Sequence, residues 1–551
     1  MRFLARNKQN RRQLSFGVLA CLTWVGLLLA QASIAADLGH GIEATFSGVA
    51  TFGTAIRTED PSPGVLGGAS AARVPGTPTG QLTPTSSAGA SDLNFSSGQA
   101  VSTVLKAMAG LDVHQHNTGL FMRAQAWHDL TLKNSDAAYG NFPNGFAQNV
   151  PLSDAGFAPE AQFANIQTMD VYGYTRLDVG ASSALELKLG RQYVNWGNAR
   201  FFSGGINVIN PSNFAAAARP GAMAEEFRLP VGMLYAKLQT SEASTLDGFA
   251  QYESRTHVLP GCGTFYAQAN YAATGCGYVN ASNKSDTVGF SSGLYIHRTD
   301  DVALASSGQF GLSWRLAPAD SNASMRLYAM QYHSRAPSIR VNNATFPSGL
   351  VPNSSNPLAT AQRLTGPGGA SYSLMYPESI KLFGASFETK LAPTTQVYGE
   401  LAYRPNQPVS LNATDMITGF LLRAPNSVLN LDRGVNAIPL GGTFDGYDRF
   451  RVTTASVGGV QVFPKIMGAE RVVATAELGL SHVAGLPSLG TLRYGRSDDF
   501  GGAAYTGGGA CMDASIAQKA CAQDGFVTPM AWGYRMQLAA SYSEGVSSPI
   551  R

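Results

Sequence analysis

Charged side chains recur at alternate positions of several strand-like segments. Alternate side chains of a strand point to the same face, so these segments would collect carboxylates and cations on one polar face. Charges of both signs can line a water-filled path or anchor a plug by ion pairs; they can equally be cross-strand pairs that fix strand register. The transport candidates on strands are Arg123, Asp129, Asp170, Arg176, Asp178, Glu186 and Lys188.

A second charged cluster, formed by Glu225, Glu226 and Arg228, lies in residues 204–231, which do not alternate. The stretch Asn210–Asn213 predicts a turn and a helix cap, followed by a short helix. Two interpretations stay open for this segment: an extracellular loop, or a loop folded into the lumen of a barrel as a constriction. The second makes the three charged residues further transport candidates.

Catalytic and metal-binding arrangements are not indicated. His333 and Ser334 are adjacent in one strand, so they point to opposite faces and cannot pair as base and nucleophile. His114 and His116 share a face, but no third ligand is near them in sequence. We predict no catalytic residue, no metal and no cofactor, and we do not expect an enzyme.

The N-terminus predicts export. Basic residues precede an apolar run from Leu14 to Ala30, and small residues follow around Ala35. This is the layout of a signal peptide over residues 1–35; the alternative is an uncleaved membrane anchor. Five of the 39 basic residues lie in that segment, against 36 acidic residues in the chain, so the mature net charge is about −2. No basic patch remains to predict a nucleic-acid partner.

The cysteines beyond residue 35 form two local pairs, Cys262 with Cys276 and Cys511 with Cys521, in Gly- and Ala-rich sequence. In an exported protein, such pairs predict disulfides that close loops. Zinc is the alternative, but neither pair has the short spacing of zinc ligands.

From residue 42 onward the chain alternates apolar and mixed residues over about ten positions, turns, and alternates again. Leu185, Leu187 and Leu189 lie opposite Glu186 and Lys188 in this way. We count about 14 such strands, in which short and long connections take turns. The clearest further hairpins span residues 229–254, 309–334 and 379–404.

Short turns at one end and long loops at the other are the layout of a transmembrane β-barrel. A closed sheet pairs every backbone group in lipid without leaving a free edge. We therefore predict an all-β fold, an antiparallel transmembrane β-barrel over residues 36–551, with short periplasmic turns and long extracellular loops, in contact with outer-membrane lipid. Alternation alone does not distinguish a core from lipid, so a soluble sandwich array or solenoid is the alternative.

Several segments resemble a known family. They include "LKLGRQYVNWGNARFFSGGINVINPSNF", "RPGAMAEE" and "YRPNQP", and the likeness runs from about residue 42 to 542. The sequence resembles the DUF1302 (domain of unknown function) family of Gram-negative outer-membrane proteins. This resemblance implies an outer-membrane barrel that accompanies a periplasmic carrier protein and an inner-membrane exporter of the resistance-nodulation-division (RND) type. It also implies a hydrophobic or amphipathic cargo.

The function predicted from these features is an outer-membrane channel or transport component for a small, hydrophobic or amphipathic molecule. The alternative is a barrel plugged by its own loops that serves an export assembly as a binding or scaffold protein. An outer-membrane enzyme is the least favoured reading.

The last residues, "WGYRMQLAASYSEGVSSPIR", end in a polar tail instead of an aromatic residue. Their start resembles an interior strand of the family, which predicts that the family's C-terminal strands are missing here. The alternative is that residues 531–542 pair with the first strand, around 42–57, in a barrel of about 14 strands.

Overall fold

A computed structural model describes residues 23–61, 89–180, 182–268, 270–280, 285–319, 321–345, 368–421, 425–466, 468–496 and 524–542, without the side chains of residues 23–32, 89, 90, 418 and 421. Within these ranges the chain forms 22 strands and short helices.

The strands in chain order are β1 Thr23–Gly39, β2 Ile42–Ile56, β3 Ala100–Gln115, β4 Thr118–Asp129, β5 Asp136–Ala137, β6 Val150–Pro151, β7 Ala164–Asp178, β8 Ala184–Gln192, β9 Val231–Ser241, β10 Ser244–Gln251, β11 Tyr278–Asn280, β12 Tyr295–Arg298, β13 Gln309–Leu316, β14 Ala323–Tyr332, β15 Ser338–Asn342, β16 Ser371–Met375, β17 Ile380–Ala392, β18 Thr395–Ser410, β19 Thr443–Asp445, β20 Tyr447–Ile466, β21 Ala469–Ala484 and β22 Met530–Ser541.

The helices are short and lie in the connections between strands. The α-helices are Gly89–Leu93, Leu130–Asn134, Phe214–Ala217, Ala224–Phe227, Asp286–Ser291, Ala413–Met416 and Val428–Arg433, with a π-helix at Ile417–Leu421 and 3-10 turns at Phe142–Asn144, Pro159–Ala161 and Val435–Ala437. In the described part of the chain, none of the helices has the length and apolar character needed to cross a membrane.

Fifteen strands form one antiparallel sheet in the order β1-β2-β3-β4-β7-β8-β9-β10-β13-β14-β17-β18-β20-β21-β22. Every neighbour in this sheet is also the next long strand along the chain, and short and long connections alternate. The predicted hairpins are present as β7–β8, β9–β10, β13–β14 and β17–β18. The prediction of an all-β, antiparallel fold is confirmed; β1 and β22 are not paired with each other in the described residues.

One face of the sheet, the outer face, is apolar and exposed. Cross-strand partners share a face, and one row of such partners crosses nine strands with only apolar side chains. Several of its members are more than 40% exposed, although a soluble protein would bury them. The row is Leu238, Leu246, Trp314, Leu327, Ala385, Leu401, Ala455, Leu480 and Trp532.

The long connections build a second structure that the sequence analysis did not predict. Strands β11, β12, β16, β15 and β19 form a five-stranded sheet from three distant connections. A core that includes Tyr372, Leu374, Phe420 and Tyr494 packs against it, and Arg493 there makes two hydrogen bonds to Asp415, of 2.9 and 2.8 Å. The described parts of the long connections therefore form a cap at that end of the large sheet.

The predicted disulfide between Cys262 and Cys276 is confirmed, and both residues are buried among the long connections. Cys511 and Cys521 lie outside the described residues, so their pairing stays a prediction.

Strand β1 includes residues 23–35 of the predicted signal peptide and pairs with β2 from Thr23 opposite Ile56 to Gly39 opposite Ile42. The structure is that of the whole chain, so removal of residues 1–35 stays a prediction. Without β1, the large sheet would have 14 strands, the number expected from the alternation.

Candidate functional site

The connection between β8 and β9, residues 193–230, is the centre of the candidate site; we call it the crossing segment. It contains residues 204–230 of the stretch 204–231 for which a lumen position was one interpretation. Asn210 holds the two ends of the segment together: its side chain accepts from Val194 N at 3.0 Å and donates to the carbonyls of Gln192 and Leu229. Asn213 caps the helix Phe214–Ala217 through Ala216 N, as predicted.

The carboxylate of Glu400 on β18 binds three backbone amides of the crossing segment. Its Oε2 accepts from Asn198 N at 2.6 Å and from Ala199 N at 2.9 Å, and its Oε1 accepts from Ile206 N at 2.9 Å. Glu400 is 7% exposed. Hydrogen bonds to an ionised group are roughly twice as strong as neutral ones, so this carboxylate ties both sides of a turn to the sheet.

Glu477 on β21 binds the residues between those two contacts. Its Oε2 accepts from Arg200 N at 2.8 Å and from Phe201 N at 3.3 Å, and also from the hydroxyl of Tyr398 at 3.1 Å. Next to this site the guanidinium of Arg535 on β22 lies 5.4 Å from the centre of the Phe201 ring. The segment therefore contacts β18, β21 and β22, near one end of the sheet.

The beginning of the crossing segment contacts the middle of the sheet. The indole Nε1 of Trp196 donates to Asp247 Oδ2 on β10 at 2.7 Å, and its ring packs 5.2 Å from Phe249. Gly197 N donates to the hydroxyl of Tyr328 on β14 at 3.3 Å. Trp196 is 1% exposed, so the indole fixes this part of the segment in a buried position.

The end of the crossing segment contacts the other edge of the sheet. Lys106 on β3 pairs with Glu226 at 2.7 Å, and both side chains are buried. The guanidinium of Arg219 lies 3.9 Å from the centre of the Trp127 ring on β4. Pro220 packs so close to Gly53 on β2 that a Cβ there would lie 2.9 Å from the proline Cβ.

These contacts require the sheet to curve around the crossing segment. Strands β10 and β21 are six positions apart in the sheet, about 29 Å if the sheet were flat. Trp196 reaches β10 and Arg200 reaches β21, and four residues of extended chain span at most about 14 Å. Side chains stand roughly perpendicular to the sheet and add little reach along it, so the polar face is concave. We call it the inner face.

The structure brings three pairs of the predicted site residues together and joins a seventh predicted residue, Glu226, to Lys106. Arg123 lies 3.5 Å from Asp170, and Lys188 lies 2.9 Å from Glu186. Arg176 and Asp178 are 4.0 Å apart and well exposed. The fourth pair is the one between Glu226 and Lys106 described above. The candidates therefore form separate ion pairs along the inner face instead of one binding site.

The remaining predicted residues have local contacts. Asp129 ends β4, accepts from Leu132 N at 3.0 Å as a helix cap and contacts the Ser102 hydroxyl. The Arg228 guanidinium lies 4.8 Å from the centre of the Tyr193 ring. Glu225 is half-buried, and its side chain is in no ion pair among the described residues.

Sequence reasoning missed the groups that hold the crossing segment: Lys106, Glu400, Glu477, Asp247 and Trp196. Three of them could have been recognised from the sequence. Lys106, Glu400 and Glu477 are each the single charge within a run of apolar and small residues, "VSTVLKAMAG", "VYGELAY" and "VVATAELGL". An isolated charge within a membrane-length strand indicates a functional position. The partners of Glu400 and Glu477 are mostly backbone amides, which leave no trace in the sequence.

The histidines make local contacts. His333 uses both ring nitrogens, with Ser307 O at 2.8 Å and Ser379 N at 3.1 Å, while the Ser334 hydroxyl donates to Ala336 O. His114 lies 3.4 Å from Asp112 and 3.6 Å from Glu43. The described residues contain no group of three or more potential metal ligands.

A family model described as "Protein of unknown function (DUF1302)" matches residues 15–550. This chain belongs to the DUF1302 family. The match continues to residue 550, so the expectation that the family's C-terminal strands are missing from this DUF1302 protein is not supported. No curated protein matches the chain.

Solved structures similar to this DUF1302 protein include OmpF of Salmonella typhi in complex with daunomycin, at 8% identity and a TM-score of 0.31, covering 92% of this chain and 100% of OmpF. A ferric enterobactin receptor of Pseudomonas aeruginosa matches at 9% identity and a TM-score of 0.30, covering 94% of this chain but only 54% of the receptor. OprB of Pseudomonas putida matches at 11% identity and a TM-score of 0.21, covering 69% and 83%. At these TM-scores, the likeness carries no argument about activity.

Proposed function

We propose that this DUF1302 protein is an outer-membrane channel or transport component whose pathway is closed by the crossing segment. The observation that carries the proposal is the position of that segment: it contacts strands from β2 to β22 across the inner face. The exposed apolar row on the outer face supports a lipid environment, because lipid takes the place of a buried core.

The hydrogen bonds that Glu400 and Glu477 accept from the crossing segment suggest how such a pathway would open. Glu400 uses both carboxylate oxygens on segment amides, whereas Glu477 uses only Oε2. A glutamine at position 400 would turn one acceptor into a donor that faces a backbone N–H. A glutamine at position 477 could still present its carbonyl to the amides. Glu400→Gln should therefore loosen the segment more than Glu477→Gln.

Conductance of the purified protein in planar bilayers tests the proposal. We expect the wild type to be closed or to open rarely, Glu400→Gln to open more often, and deletion of residues 204–228 to conduct continuously. Glu388→Gln is the matched control. Glu388 lies on β17, on the same face of the sheet as Glu400, but it pairs with Arg315 at 3.8 Å and not with the segment. If neither the wild type, the Glu400 variant nor the deletion conducts, the channel proposal is wrong.

The second candidate is a plugged binding or scaffold barrel in an export assembly. The buried pair between Lys106 and Glu226 favours it, because this pair holds the end of the segment while Glu400 and Glu477 hold its beginning. Cross-linking in cells would then recover a periplasmic or inner-membrane partner while the deletion variant stays without conductance. Recovery of the barrel alone would count against this candidate.

The proposal also includes a class of cargo and two partner proteins. A hydrophobic or amphipathic small molecule, a periplasmic carrier protein and an inner-membrane exporter of the RND type are what the family resemblance implies. A deletion strain tests the cargo prediction through altered uptake or export of lipid-like compounds. If the transport of such compounds is unchanged and the transport of small polar solutes changes, the cargo prediction is wrong. The channel proposal would still hold.

A further inference from the structure

Two strands of this chain are suited to the same edge of β2. Strand β1 occupies that edge in the structure. Strand β22 is paired with β21 on one side and with no described residue on the other. Thirteen antiparallel steps separate β2 from β22, and an odd number of reversals makes β22 antiparallel to β2. Strand β22 therefore runs in the same direction as β1 and suits the same edge.

The register of the sheet shows where the two edges would meet. An unbroken line of cross-strand partners passes through one residue on each of the 14 strands from β2 to β22. It starts at Ile42 and ends at Met530, which are the first residues of their strands. The line is Ile42, Gln115, Thr118, Thr175, Leu187, Ala236, Gly248, Leu312, Ala329, Phe383, Tyr403, Thr453, His482 and Met530.

Because β2 and β22 run in opposite directions, this line connects opposite ends of the sheet. If Met530 lies beside Ile56, the last residue of β2, the stagger around the sheet is about 14 residues. A stagger of 14 residues over 14 strands corresponds to a strand tilt of about 35°, from a rise of about 3.4 Å per residue and a spacing of about 4.8 Å. Closed barrels have tilts of roughly 35–45°.

The faces of the two strands agree in this register. Gly53 and Gly533 would be partners, and both already lie under the crossing segment, next to Pro220 and Phe202 respectively. Tyr534, which is on the outer face, would lie beside Phe52, which is also exposed there. A register shifted by one residue would pair outward-facing residues of β22 with inward-facing residues of β2.

We propose that β22 replaces β1 on the edge of β2 when residues 1–35 are removed, and that this exchange closes the sheet into a 14-stranded barrel. Removal of residues up to Ala35 leaves only four residues of β1, Ala36–Gly39. An open edge in hydrocarbon costs several kcal/mol for each unpaired backbone group. The freed edges of β2 and β22 are each other's complement in direction, register and face. This proposal concerns the fold of the processed chain and holds whether or not the protein conducts.

Cysteine cross-linking from one position on β2 distinguishes the two partners. Ser47 pairs with Ser33 of β1 in the structure, and it would pair with Ala539 of β22 in the proposed register. The chain retaining residues 1–35, refolded in detergent, should cross-link as Ser33→Cys/Ser47→Cys. The processed protein, isolated from outer membranes and checked by N-terminal sequencing, should cross-link as Ser47→Cys/Ala539→Cys. Mass spectrometry of the linked peptides separates these bonds from native disulfides.

Gln537 supplies both the control and the second test. Ser47→Cys/Gln537→Cys is displaced by two residues on the same face, where side chains are too far apart for a disulfide, so it should not cross-link. Val49→Cys/Gln537→Cys is in register and should do so, which covers the case that the first pair disturbs folding. Absence of both in-register cross-links in processed protein that retains its Cys262–Cys276 disulfide overturns the proposal. A cross-link from Ser47 to Gln537 overturns the register.

Discussion

Lys106 Nζ on β3 lies 2.7 Å from Glu226 Oε1 in the crossing segment, and the two side chains are only 5% and 3% exposed. Lys106 also donates to the carbonyl of Gly221 at 2.9 Å. The pair therefore closes the segment against the edge of the sheet opposite to Glu400 and Glu477.

Removal of one partner of this pair should destabilise the protein strongly. Lys106→Met leaves the carboxylate of Glu226 buried without its cation, which typically costs about 3–5 kcal/mol. The double variant Lys106→Met/Glu226→Met should recover most of that loss. Unfolding in urea, followed in detergent micelles, gives the free energy of unfolding of each variant.

A half-exposed pair on the same face is the control for this measurement. Glu186 and Lys188 are 2.9 Å apart, with about a third of each side chain exposed, so Glu186→Gln should cost less than about 1 kcal/mol. Equal losses in Glu186→Gln and Lys106→Met would contradict the role assigned to the buried pair.

The loop disulfide should order the long connections without holding the sheet together. Cys262 and Cys276 close a loop of 15 residues, and replacement of both by Ala should lower the free energy of unfolding by about 3 kcal/mol. We expect faster proteolysis within residues 252–277 and an unchanged heat-shifted mobility of the barrel on gels. Loss of the folded barrel in this variant would mean that the disulfide supports the sheet itself.

Thiol labelling tests all four cysteines outside the predicted signal peptide. The denatured, unreduced mature protein should label at none of them, because Cys511 and Cys521 are predicted to form the second pair. Stoichiometric labelling at those two positions, with none at Cys262 and Cys276, would remove that prediction alone.

His257 should remain neutral well below its usual titration range. Burial and the nearby Arg335 lower its pKa to about 4, and its Nδ1 accepts from Ser212 N at the base of the crossing segment, at 2.8 Å. Unfolded histidine takes up a proton near pH 6.5, while the folded form does not. The stability that neutral His257 contributes is thus fully present above pH 6.5 and falls as the pH drops toward 4.

Proteolytic protection of the crossing segment between pH 7.5 and 4.5 measures this effect. We expect protection to decrease with pH in the wild type and to be lower but less dependent on pH in His257→Ala. The same pH dependence in both proteins would show that another group is responsible.

Much of the sheet was predictable because strand alternation is a local property. Leu185 to Lys188 show the inner and outer face within a few residues, and the turns between hairpins are short. The cap was not predictable, because its sheet joins residues far apart in sequence, such as Arg340 and Asp445. The alternation identified the candidate charges as members of the inner face. It did not identify the lone carboxylate of Glu400, because its partners are backbone amides about 200 residues away.

The packing of Phe202 against two glycines allows a test of the closed position of the crossing segment. The substitutions in this test change no charge. Its ring lies against Gly479 on β21, where a Cβ would be 2.6 Å from the nearest ring atom; at Gly533 on β22 the corresponding distance is 3.5 Å. The first distance forces the ring to move, while the second is ordinary van der Waals contact. Gly479→Ala should therefore displace Phe202 and weaken the neighbouring contact between Glu477 and Phe201, whereas Gly533→Ala should be tolerated.

Conductance and proteolysis measure the difference between these two glycine variants. We expect more frequent openings and faster cleavage after Arg200 in Gly479→Ala, and wild-type behaviour in Gly533→Ala. The double variant Gly479→Ala/Phe202→Ala should lose the steric conflict, because the ring that meets the new methyl group is gone. If Gly479→Ala behaves like the wild type, Phe202 does not pack on β21 in the membrane, and the segment is held there by Glu477 alone.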